Sequence, residues 1–289
     1  MGSENINSNT HSDPAPRSAD SQLRVKSDVP FYVGLVLLAG LYVTLIVAMI
    51  LADVYYTGFH DFQEILSDRN IRYAIKLSLI SCCITTILAL WVAVPIGYLM
   101  SRFEFPGKNL VDSILDIPIV LPPLVIGLSL LILFRLTFLQ PLDSWLNIAF
   151  HVPAVILAQF SVAAAFAVRT LRATFDELSP RQEQVALTLG CSRSQAFWMV
   201  VLPEARLGLL TAATLAWARS LGEFGPILVF AGSTRRKTEV LPVSVHLELS
   251  IGNIEGAVAV SMLMVATAIL VLVVVRTLAH RDVIGRAFR

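Results

Sequence analysis

Arg219 and Glu223 stand four residues apart in 207–232, a stretch that is otherwise apolar. Four residues make about one helical turn, so the two side chains share a face and can neutralise each other. At the centre of a membrane helix each charge costs about 2.5–3.5 kcal/mol, so neither is expected against lipid. Two roles fit: an ion pair that compensates itself inside a bundle, or a pair of which one or both members line a permeation path. Gly222, Gly225 and Pro226 weaken the helix at that point. Catalytic patterns are missing. No G-x-x-x-x-G-K-S/T occurs, because Arg102 stands where Gly107-Lys108 would need its first glycine. There is no H-E-x-x-H, no metal-spaced Cys/His cluster and no G-x-S-x-G. Any uphill transport must draw its energy from a partner or an ion gradient.

The second constellation is a polar insert at 179–203. Ser179, with Pro180 next and Gln182 three residues on, predicts a capping box, and Ser192 with Gln195 predicts another. Gly190 falls where the first helix should stop in a left-handed cap. The insert reads as two short helices meeting at a bend. Val185, Leu189, Ala196, Phe197, Val200 and Val201 form an apolar stripe that can dock into a groove on another protein, with part of it packing on this chain.

The elements around these residues are set by long apolar runs. The 289 residues are 56% hydrophobic and 15% charged, with mean hydropathy +0.72. Runs at 31–51, 77–100, 117–134, 152–168, 207–232 and 257–275 each suit a crossing, since about 20 apolar residues span a bilayer as a helix. The expected fold is an all-α polytopic membrane protein with six transmembrane helices. Alternating strands of the kind a membrane barrel needs are not seen. With the N-terminus inside, inward segments carry 14 Lys and Arg and outward segments 7, which puts both termini and the 169–206 loop in the cytoplasm.

Shorter features complete the reading. Residues 1–30 are polar and predict a disordered cytoplasmic tail, and 31–280 the transmembrane domain. The outward loop 52–71 carries aromatic anchors. Pro118, Pro122 and Pro123 require a bend or break where the third span opens, as either a slow helix start or a gate element. In 233–256, alternation at Val243, Val245, Leu247, Leu249 and Ile251 fits a short helix or re-entrant scoop better than an isolated strand. Arg235, Arg236 and Lys237 read as a solvated loop or a contact for an acidic partner. Cys82, Cys83 and Cys191 imply no disulfide framework.

The insert resembles the cytoplasmic E-A-A-x-x-x-G-x(9)-I-x-L-P motif of binding-protein-dependent ATP-binding cassette (ABC) importer permeases. Aligned on Gly190, the match runs through Gln184, Val185 and Ala186 to Val200, Leu202 and Pro203, with Gln184 in place of the acid and Glu183 one position earlier. Ile117 to Pro123, Ala218 to Gly225 and Leu241-Pro242 are similar to segments of molybdate, tungstate and sulfate permeases, over roughly 70–280. The resemblance implies a type I permease fold. It also implies a second permease copy, two cytoplasmic ATPase subunits that carry ATP and Mg, and an extracytoplasmic solute-binding protein. It implies no cofactor in this chain and no nucleic-acid partner. By the same resemblance, Gln184, Val185, Ala186, Gly190, Val200, Leu202 and Pro203 couple to the ATPase. Pro122, Pro123, Arg219 and Glu223 are candidates for the translocation path, and the substrate is a tetrahedral oxyanion, molybdate or tungstate before sulfate. The alternatives are an ion-gradient-driven secondary transporter, or an ABC permease for iron or thiamine. A membrane-embedded enzyme lacks its catalytic constellation, and a scaffold or sensor would not need the insert.

Overall fold

The computed structural model describes residues 29–56, 67–137 and 139–287. The described residues form an all-helical protein. Four of its helices are long and apolar enough to cross a membrane, or up to six if each of two bent pairs is one span. The 1–28 part of the expected tail and most of the 52–71 loop lie outside the described residues, while Val29 and Pro30 already belong to the first helix.

That helix, α1 (Val29–Tyr56), is apolar on every side, and its residues up to Ile50 belong to a separate unit. In the other unit, α2 (Arg69–Arg102) starts at Asp68, whose side chain accepts the Asn70 N–H at 2.8 Å. Then come α3 (Lys108–Val120), α4 (Pro123–Arg135), α5 (Gln140–Leu146) and α6 (Val152–Glu177). The insert follows as α7 (Pro180–Thr188), α8 (Arg193–Ala196), a π-helical turn at Phe197–Val201 and α9 (Leu202–Glu204). The chain closes with α10 (Arg206–Leu221), α11 (Gly225–Phe230), α12 (Leu241–Ser250) and α13 (Ile254–Ala287).

Two expected spans are not single helices. The 117–134 run is divided at Leu121-Pro122: its first residues finish α3, and α4 leaves at 112°. Proline at 122 and 123 supplies no N–H for continuing the helix, so Pro122 becomes the cap of a new one. The 207–232 run breaks at Gly222–Phe224, between α10 and α11, where Gly222, Gly225 and Pro226 are clustered. The 233–256 segment holds the short helix α12.

α2, α6 and α10 make the centre of the bundle. Their shared core is built largely of alanine: Ala89, Ala93, Ala163, Ala167, Ala212 and Ala216 are buried together with Leu171 and Phe175. Small residues let helix backbones approach closely, which is the main source of helix association where water supplies no hydrophobic drive. Gly97 shows how close: a Cβ there would sit 3.0 Å from the Arg172 backbone nitrogen. A second cluster, around Phe134, Ile227 and Phe230, joins α4 and α11 to the start of α6. A third, around Trp217, Leu241 and Val260, ties α10 to α12 and α13.

Candidate functional site

The insert is built as two capped turns. Ser179 accepts from the Arg181 N–H at 3.4 Å rather than from Gln182, so the first capping box is not formed; Pro180 and the single bond start α7. The second box is complete, with Ser192 Oγ accepting the Gln195 N–H and Gln195 Oε1 accepting the Ser192 N–H. Between them Gly190 takes φ +93°. The Cys191 N–H bonds the Ala186 carbonyl at 3.1 Å and the Gly190 N–H bonds the Leu187 carbonyl at 3.0 Å. These two bonds are a Schellman closure, and they turn the chain between the helices.

Glu183 ties the insert to the bundle through its carboxylate. The Tyr98 hydroxyl donates to Glu183 Oε1 at 2.5 Å, and Arg102 Nε lies 3.6 Å from Oε2. Arg102 also donates to the Leu178 carbonyl at 2.9 Å. The Tyr98 ring meets Phe103, Phe175 and Phe197 edge-on. The apolar stripe is thereby divided. Ala196 and Val201 are buried, and Phe197 and Val200 are half-buried. Val185 and Leu189 stand out, 56% and 79% exposed. Of the remaining motif positions, Gln184, Gly190 and Pro203 are exposed, Leu202 is half-buried and Ala186 is buried. The acid one position early thus points into the protein, while Gln184 faces out.

The path candidates meet where two broken helices interlock. A Cβ on Gly127 of α4 would lie 2.7 Å from Pro226 Cα, and one on Gly225 would lie 3.1 Å from the Pro123 Cβ and the Leu124 nitrogen. Each break is therefore seated against the other through a glycine, and no side chain fits between them. Pro122 and Pro123 remain exposed at this joint. Arg219 NH2 lies 3.2 Å from Glu223 Oε1; Glu223 is 2% exposed and Arg219 38%. The guanidinium also sits 5.0 Å above the Phe166 ring.

Gln159 is the polar residue that sequence reasoning passed over. Its Nε2 donates to the Ser220 carbonyl at 3.1 Å, and its Oε1 accepts from Thr85 Oγ1 at 3.1 Å. It satisfies a carbonyl at the point where α10 ends, and a lone Gln within the 152–168 run was the available signal. The tie from Glu183 to Tyr98 crosses 85 positions, and no local spacing marks it. Two further pairs, Asp112–Arg172 and Asp116–Arg169, join α3 to α6. On the far side, Arg235 pairs with Glu248 at 2.9 Å, and Asn253 Nδ2 donates to Glu248 at 2.8 Å.

Broken helices locked together in an apolar bundle, an ion pair at the break, and an externally presented helical insert define a membrane transport subunit. The chain belongs to the family of binding-protein-dependent transport system inner membrane components, whose model matches residues 93–285. It is 32% identical over 256 residues to the sulfate transport system permease protein CysW of Synechocystis, covering 86% of this chain and 92% of that one. Over 231 residues it is 32% identical to the sulfate transport system permease protein CysT of Escherichia coli, covering 76% of this chain and 81% of that one. The molybdate/tungstate transport system permease protein WtpB of Thermococcus kodakarensis is 36% identical over 166 residues, 57% of this chain and 63% of that one. In fold the chain matches a subunit of a bacterial alginate ABC transporter, solved in complex with a pentasaccharide-bound periplasmic protein. The TM-score is 0.69 at 17% identity, over 88% of this chain and 95% of that one.

Proposed function

We propose that this chain is the permease subunit of an ATP-driven importer that moves a tetrahedral oxyanion (sulfate, molybdate or tungstate) across the cytoplasmic membrane. The observation that carries the substrate class is the Ala218 to Gly225 segment, with Arg219 held by Glu223 at a helix break, in a chain whose relatives are named for these anions. Two copies of the chain enclose the path, and Arg219, Glu223, Pro122 and Pro123 border it. A solute-binding protein delivers the anion on the outer side. Two ATPase subunits, carrying ATP and Mg, grip the insert on the cytoplasmic side, where both termini also lie. Exposed Val185 and Leu189 are the knobs that enter the ATPase groove, flanked by Gln184, Gly190 and Pro203; Ala186, Val200 and Leu202 hold those knobs in place from beneath. The Glu183 tether makes the insert move with α2 and α6 as a rigid body, so ATPase closure reaches the path.

The test is reconstitution of this chain with its ATPase and binding protein in proteoliposomes, followed by ATP-dependent uptake of labelled sulfate, molybdate and tungstate. Uptake of at least one, dependent on the binding protein, is the expected result. If ATP drives none of the three while the assembled complex hydrolyses ATP, the oxyanion reading fails.

A further inference from the structure

Helix α3 buries none of its side chains, and of its apolar residues Leu115 packs partly against the core. Charge ties it to α6. Asp112 accepts from Arg172 NH1 and Asp116 from Arg169 NH1. The aspartates are four apart on one helix and the arginines three apart on the other, so each pair shares a face. The later aspartate meets the earlier arginine, and the helices therefore run antiparallel as a two-rung ladder. Around the rungs lies a cavity of about 290 Å³, lined by all four residues, by Met100 and Leu115, and by Asp176, whose carboxylate lies 3.8 Å from Arg172 Nε and stays with it when the rungs open. One water takes about 30 Å³, so an ion of a few atoms has room there. Arg169 is 66% exposed, so its guanidinium is open to solvent even while paired.

The guanidinium fork binds carboxylates and tetrahedral oxyanions with the same donors. The aspartates thus occupy positions that a small dianion could take. Two joints make the exchange workable. α3 ends at the Leu121-Pro122 break, so it can swing without dragging α4. α6 ends at Glu177, directly before the insert, so motion of the insert reaches both arginines along a single helix. We infer that Arg169 and Arg172 form a dianion site at the insert end of the path, kept shut by Asp112 and Asp116, and that outward movement of α3 hands the two guanidiniums to the anion. The inference rests on the oxyanion-import reading above.

Equilibrium binding of molybdate and sulfate to the detergent-solubilised permease–ATPase complex tests it. Neutralising the lock with Asp112→Asn and Asp116→Asn should tighten anion binding about tenfold, the scale of releasing two partly exposed ion pairs. Adding Arg169→Gln and Arg172→Gln should abolish that gain. Chromatography and basal ATP hydrolysis report on assembly; if the double variant misassembles, Asp116→Asn alone, with and without Arg169→Gln, carries the comparison. A purely structural ladder would alter assembly without altering anion affinity. Unchanged affinity in an assembled variant, or a gain that survives loss of the arginines, overturns the site. Uptake by the wild-type complex separates the two readings: oxyanion transport with no unlocked binding refutes this site alone, whereas no transport of any of the three refutes both.

Discussion

Single residues at the helix breaks have little freedom. Gly127 has Pro226 Cα at 2.7 Å and the Pro226 carbonyl oxygen at 2.8 Å from any added Cβ, both backbone atoms that cannot step aside. Gly127→Ala should therefore cost about 1–3 kcal/mol, the range for overpacking a tight contact, read as a fall in the thermal unfolding temperature of the purified protein. Gly190 is the opposite case: nothing lies within 4 Å of its added Cβ, but its φ is +93°. Gly190→Val should leave insertion intact, cost about 1–2 kcal/mol of strain in that left-handed cap, lower transport, and leave ATP hydrolysis running uncoupled; unchanged transport would count against its role. Glu183 and Gln184 form a third contrast. Glu183→Ala frees Tyr98 and Arg102 from their shared acceptor and should sharply raise the ATP hydrolysed per anion moved, whereas exposed Gln184→Ala should change unfolding by under about 0.5 kcal/mol. Measuring uptake and hydrolysis together on both variants separates tethering from docking.

At the scale of elements, the break after α10 depends on a neighbour. Gln159→Leu would remove the side-chain donor to the Ser220 carbonyl, which keeps the Glu223 N–H at 3.3 Å, a loss of about 1 kcal/mol by unfolding; Gln159→Glu, whose carboxylate cannot donate to that carbonyl, should lower transport at least as far. The loop before α12 makes a prediction in pH. Burial raises the Glu239 carboxyl above its ordinary 4.5, against the Ser244 hydroxyl, the Arg236 N–H and nearby Arg235, while Asp68 adds to the rise. A raised acid binds its proton more tightly when folded, so stability falls as the pH climbs from 4.5 through the raised value. A pH series of unfolding temperatures should show that slope in the wild type and a flatter one in Glu239→Gln. Hydrophobic runs announced the helical class and the position of the insert, and prolines and glycines announced both breaks. What the runs could not announce was the division of 117–134 between α3 and α4, because apolar residues serve a bent pair as well as a straight span. The Ser179 cap shows the same limit: a capping pattern offers two neighbouring N–H groups, and local geometry chose Arg181.

For the molecule as a whole, ties between distant segments matter more than any one helix. Tyr98 to Glu183, Thr85 to Gln159 and Ser78 Oγ to the Leu241 N–H each join parts of the chain more than 70 positions apart. Such pairs leave no periodic trace, which is why the Glu183 anchor and the α3–α6 ladder were not legible beforehand while the bundle was. The π-helical turn at Phe197–Val201 adds a consequence of another kind. There the Leu202 N–H bonds the Phe197 carbonyl, five residues back, so the turn holds one residue more than an α-helix would need. One residue is about 100° of helical phase. That surplus residue sets the compass bearing of everything before it relative to α10, so deleting a residue within 197–201 should rotate Val185 and Leu189 away from their heading while every contact pattern inside the insert survives. The aim of the insert is thus stored as a remainder in the chain's count as well as in the Glu183 anchor.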